Sequence, residues 1–178
     1  QINLWRSIMK TCAITGLPPS DFPFRYDETH EDGLAIKQLL KDEFTRLYHD
    51  GVRCFMLGGA VGVDTWAAEI LLEMRKEDDY KDLVIKLILA FPEQAERYTK
   101  NQKKRYRRIW ERCRPENRIT VSEAYSPDVY KRRDYYMVDH CDCLVAVFNE
   151  RLGKRNSTGV MVNYAKKMVR KICVVAVI

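Results

Sequence analysis

Histidine is scarce in this chain, with only His30, His49 and His140, and none stands at a metal-ligand spacing from the six cysteines. Cys141 and Cys143 are two apart rather than a C-x-x-C pair, so no zinc site and no other metal site is expected. Cys12, Cys54, Cys143 and Cys173 fall in apolar, strand-like runs, where cysteine acts as a small buried hydrophobe, and a reducing cytoplasmic location is the expectation. No apolar run approaches the ~20 residues that cross a bilayer, so no membrane association is expected. The opening "QINLWRSI" lacks a basic segment followed by a long apolar stretch, which argues against a signal peptide. Met9 reads as the native start, residues 1–8 as an upstream or cloning remnant, and 9–178 as one domain. A Ser/His/Asp or Cys/His nucleophile set is also missing. His140 neighbours Asp139 and Asp142, but adjacency in sequence does not give adjacency in space.

What is present fits a soluble globular domain: 178 residues, 46% hydrophobic and 31% charged. The net charge of +6 is unevenly spread, because residues 93–114 alone carry nine Lys/Arg against three Glu. The spacing predicts a helix there, with Tyr98, Tyr106, Ile109, Trp110 and Cys113 on its core stripe and the basic residues opposite. A nucleic-acid partner through 93–114 is one reading of that face; a solvated surface is the other.

Six β-branched runs, at 10–15, 53–58, 83–91, 118–122, 142–149 and 171–178, alternate with helical patterns at 29–50, 63–76, 93–114, 127–141 and 157–169. Near-continuous apolar strands imply burial on both faces. The pattern predicts an α/β, Rossmann-like, doubly wound and mainly parallel sheet of six strands with helices on both faces. Ligands of such folds bind beyond the carboxyl ends of the strands, which here means loops 16–28, 58–64, 91–96, 122–128 and 149–158.

The loop "MLGGAVGVDTWAAE" (56–69) holds three glycines but matches neither standard phosphate fingerprint. Leu57 breaks G-x-G-x-x-G, and Val63-Asp64 stand where a Walker loop needs lysine and a hydroxyl. Glycines followed by helix amides still suit phosphate or another anion. A tight strand-to-helix turn explains the glycines equally well. Asp64 reads either as a cap or as a partner of a sugar hydroxyl. Glu69 falls off the core stripe with Trp66 and could reach back under the loop; the alternative is a solvated helix residue. Ser157 and Thr158 read as the N-cap of the last helix or as a second anion site. Two helix N-termini across one crevice would make a diphosphate-sized pocket.

"GGAVGVDTWAAE", with "AITG" before it and "RRDYYMVDHCDCLVAVF" after it, resembles the YpsA-like branch of the SLOG superfamily, related to the DprA/Smf and Lonely Guy proteins. The resemblance implies a pocket for a nucleotide or nucleotide derivative. It matches Gly58, Gly59, Gly62, Asp64, Trp66 and Glu69 to the middle motif, and Thr15, Gly16, Pro19, Phe24, Tyr26 and Glu28 to the first. It also matches Gln94 to a glutamine after the third strand, and Arg133, Tyr136 and Asp139 to the late helix. Two departures stand out. The family's His-Arg after T-G is Leu17-Pro18 here, and the loop "GKRNSTG" (153–159) lacks the glutamate of the Lonely Guy hydrolases.

The expectation is therefore a binding or sensor module without a required cofactor, taking an AMP-, NAD- or ADP-ribose-like ligand. Phosphate would be held by loop 58–64 and the N-terminus of the last helix. The expected contact residues are Thr15, Gly16, Gly58, Gly59, Gly62, Asp64, Glu69, Gln94, Arg133, Asn149, Ser157, Thr158 and Gly159. A nucleotide N-glycoside hydrolase using Glu69 as its acid/base group and a DprA-like single-stranded nucleic-acid binder are the alternatives. The resemblance also implies pairing into a homodimer.

Overall fold

The computed structural model describes residues 9–151 and 156–177. The six strands β1 (Lys10–Gly16), β2 (Val52–Leu57), β3 (Val84–Leu89), β4 (Arg118–Thr120), β5 (Cys143–Phe148) and β6 (Lys171–Ala176) form one parallel sheet in the order β4-β3-β2-β1-β5-β6. The helices are α1 (Glu31–His49), α2 (Val63–Met74), α3 (Lys100–Arg112), α4 (Val129–Asp139) and α5 (Ser157–Lys167). Right-handed crossovers place α1, α2 and α3 on one face and α4 and α5 on the other. The packing of α1 on α2, α2 on α3 and α4 on α5 agrees. β5 is buried at every position and β2 at all but Arg53, as strands covered on both faces must be.

The winding direction reverses between β1 and β5. Leu17 extends that pairing by donating its N–H to Val147 O at 3.0 Å. Beyond it the chain crosses the start of α2. Phe22 and Phe24 stack with centroids 5.0 Å apart, and the Trp66 ring lies 5.4 Å from Phe22. Trp66 is only 2% exposed, against the expectation that it stands off the core stripe. The reason is that α2 is covered twice, by the sheet and by the 19–24 segment, so its apolar stripe is wider than one face.

The start of α3 and the cap of α5 differ from the sequence reading. The basic helix begins at Lys100 rather than 93, because Thr99 and Gln102 form a reciprocal capping box, with Thr99 Oγ1 accepting at 3.3 Å and Gln102 Oε1 at 2.9 Å. Residues 92–98 are turns. The cap of α5 is Asn156, whose Oδ1 accepts from Gly159 N–H at 2.8 Å, rather than Ser157 or Thr158. Gly153 of the expected second loop, and residues 1–8, lie outside the described residues.

Trp66→Ala should cost about 3–5 kcal/mol in chemical denaturation, because it empties a site closed on two sides. Leu39→Ala, on the exposed face of α1, should change stability by less than about 0.5 kcal/mol. Equal effects would contradict the double coverage of α2.

Candidate functional site

The glycine loop leaves the carboxyl end of β2, next to β1 and β3 in the sheet. Its backbone needs glycine at two positions: Gly59 has φ +73° and Gly62 has φ +95°. Two others are excluded from larger residues by close neighbours. A Cβ on Gly58 would lie 2.7 Å from Arg133 Cζ, and one on Gly16 would lie 2.4 Å from a Val63 methyl. Pro19 closes over Gly62, where an added Cβ would approach its ring to 2.9 Å.

Side-chain donors fix the loop's carbonyls. Gly58 O accepts from Gln94 Nε2 at 2.9 Å and from Arg133 Nη1 at 3.1 Å. Gly59 O accepts from Tyr98 OH at 3.0 Å, and Ala60 O from Thr65 Oγ1 at 3.1 Å. The C=O and N–H of a trans peptide point in opposite directions. Pinning these oxygens therefore turns the N–H groups of Gly59, Ala60 and Val61 away from the braces. Asp64 Oδ2 takes the Ala60 N–H at 3.0 Å. The amides of Val63, Asp64 and Thr65 precede the first helical bond, Trp66 N–H to Gly62 O at 2.9 Å, and have no intrahelical acceptor.

Beneath the loop lies a buried charge cluster. Arg133 donates to Asp134 Oδ1 through Nε at 3.2 Å and Nη2 at 3.1 Å. Burial works against its charge, but Asp134 and Asp64 outweigh that and hold the guanidinium protonated. Burial pushes Asp64 up to about 6; Arg133 pulls it down, and Asp134 adds to the rise. Asp134 is also raised, chiefly by burial. Burial and then Asp64 raise Tyr98, which keeps it a neutral donor.

The expected ligand residues separate into groups. Gly58, Gly59, Gly62, Asp64, Gln94 and Arg133 come together at the loop. Gln94 is buried, and its Oε1 accepts from Ala90 N–H at 2.8 Å, so it joins the end of β3 to the end of β2. Thr15 and Gly16 end β1, paired with Ala146 and Val147. Asn149 follows β5 and accepts from Arg151 N–H at 2.9 Å. Thr158 and Gly159 are buried at the start of α5, where Ser157 is exposed. Glu69 belongs to a different constellation: both its oxygens accept from Arg105, at 2.7 and 3.2 Å, and Arg105 also donates to Glu28, which Lys37 pairs at 3.0 Å. That network ties α1, α2 and α3 to the segment before α1.

A cavity of about 600 Å³ adjoins the loop, bounded by Gln94 and Tyr98 on the loop side and by Phe91, Tyr125 and Tyr130 on the other. The sequence reading missed these aromatics. It placed Tyr98 on a helical core stripe, and gave no role to Phe91, Tyr125 or Tyr130, although loops 91–96 and 122–128 were already marked as strand-end loops. Among the described residues no group of three or more His, Cys, Asp or Glu is placed to hold a metal ion, and no helix is long and apolar enough to cross a membrane.

A parallel sheet with a winding reversal and a glycine loop at the carboxyl end of a central strand defines a Rossmann-like α/β protein. The chain belongs to the YspA SLOG family, whose sequence pattern matches residues 12–176. It is similar to the UPF0398 proteins of Bacillus thuringiensis (strain Al Hakam) and Bacillus cereus (strain AH187), each 30% identical over 89% of this chain and 84% of the relative.

The raised Asp64 sets a pH dependence. Its folded-state value of about 6 lies above the ordinary 3.8, so its contribution to stability is full below 3.8 and is lost as pH rises through 6. Asp64→Asn, which cannot ionise, should exceed the parent in stability at pH 8 by about 2–3 kcal/mol, with the gap closing between pH 6 and 4. Urea unfolding across that range checks it; parallel pH profiles would refute it.

Proposed function

We propose that this chain is a nucleotide-ligand-binding module, with phosphate received by the amides of loop 58–64. One observation carries the reading: the carbonyls of Gly58, Gly59 and Ala60 are all held by side-chain donors, which leaves the loop's amide side as a preformed anion face at a helix N-terminus. Asp64 takes the Ala60 amide and also interacts with that of Gly58, and its raised pKa softens the repulsion of an incoming phosphate. The α5 terminus supports this less, since Asn156 already takes the Gly159 amide. The hydrolytic alternative has no comparable support, because the oxygens of Glu69 are engaged by Arg105.

A second reading, nucleic-acid binding, rests on α3. Lys100, Lys103, Lys104, Arg107, Arg108 and Arg112 are exposed along it. Tyr106 and Trp110, expected to pack inward, are half-buried and line a surface depression of about 320 Å³ with Lys103 and Arg107. Aromatic rings beside a basic groove suit single strands.

Thermal shift against AMP, NAD and ADP-ribose tests the first reading. A bound ligand should raise the melting temperature, with the shift growing as the logarithm of ligand concentration above Kd. Gly59→Val, which cannot hold φ +73°, should abolish the shift while circular dichroism reports the fold. An unchanged shift in a folded variant would remove the loop from the site. For the second reading, affinity for single-stranded DNA should fall steeply with salt and disappear on reversing Lys103, Lys104, Arg107 and Arg108 to Glu. Salt-independent binding would exclude it.

A further inference from the structure

The cavity beside the glycine loop has walls unlike the loop itself. Tyr125 is 65% exposed and Tyr130 41% exposed, so folding does not account for either ring by burial. Both meet Phe91 edge-to-face, at 5.7 and 6.0 Å between centroids with interplanar angles of 73°. At this exposure the edge-to-face contacts leave ring surface of both tyrosines open to another planar group. Arg133 also lies 5.4 Å from the Tyr130 ring centroid, which couples that ring to the guanidinium holding Gly58.

The charged residues of the cavity indicate which part of a ligand belongs there. Glu93 and Glu96 supply two carboxylates against the one guanidinium of Arg97. That balance repels phosphate. It suits an uncharged ring whose edge carries both donors and acceptors: carboxylates accept from exocyclic amino and ring N–H groups, and arginine donates to ring nitrogens or a carbonyl. A volume of about 600 Å³ lies within the ~300–1,000 Å³ range of small-molecule sites, and phosphate alone would leave most of it empty. Gln94 and Tyr98 stand between cavity and loop, each donating to a loop carbonyl, so the cavity lies on the carbonyl side of the loop.

We infer that this cavity is a purine-base subsite, in which the base stacks on Tyr125 and Tyr130. The inference rests on the proposed nucleotide-binding reading for the class of its ligand and does not depend on where the phosphate lies.

The test is calorimetric titration of the full chain with AMP, GMP, adenosine, guanosine and ribose 5-phosphate, repeated on Tyr125→Ala/Tyr130→Ala and on Tyr130→Phe. Both tyrosines are surface residues, so melting temperatures should hold. Purine nucleotides should bind at least about ten-fold tighter than ribose 5-phosphate, as stacking predicts. The double variant should lose that advantage, whereas Tyr130→Phe should retain it. Equal affinities for AMP and ribose 5-phosphate, or an undiminished purine advantage in the double variant, would overturn the subsite. Nucleoside binding lost in the double variant, with no ribose 5-phosphate binding, would uphold the subsite and reject the glycine-loop reading. Ribose 5-phosphate binding without a purine advantage would do the reverse. Absence of binding to all five would reject both.

Discussion

The carbonyl oxygen of Gly58 accepts two hydrogen bonds, one from Gln94 in the turns after β3 and one from Arg133 in α4. Gln94 bonds the first amide after β3 as well, so the carboxyl ends of β2 and β3 are locked together by one side chain. Arg133 brings in an element from the opposite face of the sheet. A side chain at position 58 would collide with the guanidinium where Gly58 O and Asp134 hold it, so this bonding favours glycine there. The direction of the loop's amides follows from where these donors pull its oxygens.

The charges beneath the loop are too costly to be explained as stability. One guanidinium and two carboxylates share a buried space, and burial dominates the shifts of Asp64 and Asp134. Removing ions from water generally costs as much as their pairing returns. With both carboxylates ionised, the cluster carries one unbalanced negative charge, which adds to the rise that burial gives Asp64. Under the proposed reading, an anion on the loop adds to the same local charge, so binding and protonation of Asp64 favour one another. The bond from Ala60 N–H to Asp64 then couples the loop's conformation to that proton.

The sheet was legible because its strands are apolar without alternation and its breaks fall at glycine or polar residues. Gly59 and Gly62 were legible as special backbone, and Asp64, Gln94 and Arg133 as members of a motif. Their bonding was not. Gln94 was expected to face a ligand, yet both ends of its amide are spent on backbone, a pairing across 36 residues that no local pattern encodes. Glu69 shows the same limit. Its helical position relative to the loop could be counted, but the arginine that engages it comes from α3, also 36 residues away. Trp66 was misjudged because a single helical stripe assumes one packing partner, and the 19–24 segment is a second. The start of α3 was misplaced because the basic run was read as continuous with the turns that precede Thr99.

The departure at Leu17-Pro18 and the aromatic cavity concern opposite sides of the same loop. On the β1 side, Leu17 is 1% exposed with its N–H committed to Val147, and the next residue but one, Pro19, rests on Gly62. Apolar packing thus covers the first of the two places where the family resemblance implies polar side chains, while Pro18 at the second is exposed. On the β3 side, Gln94 and Tyr98 brace the loop and open onto the cavity with its exposed tyrosines. Under the proposed reading, a ligand without histidine and arginine contacts on the β1 side depends on contacts elsewhere. Rings whose faces remain in water are suited to provide them, because stacking needs no buried polar partner and therefore adds affinity without burdening the already charged interior.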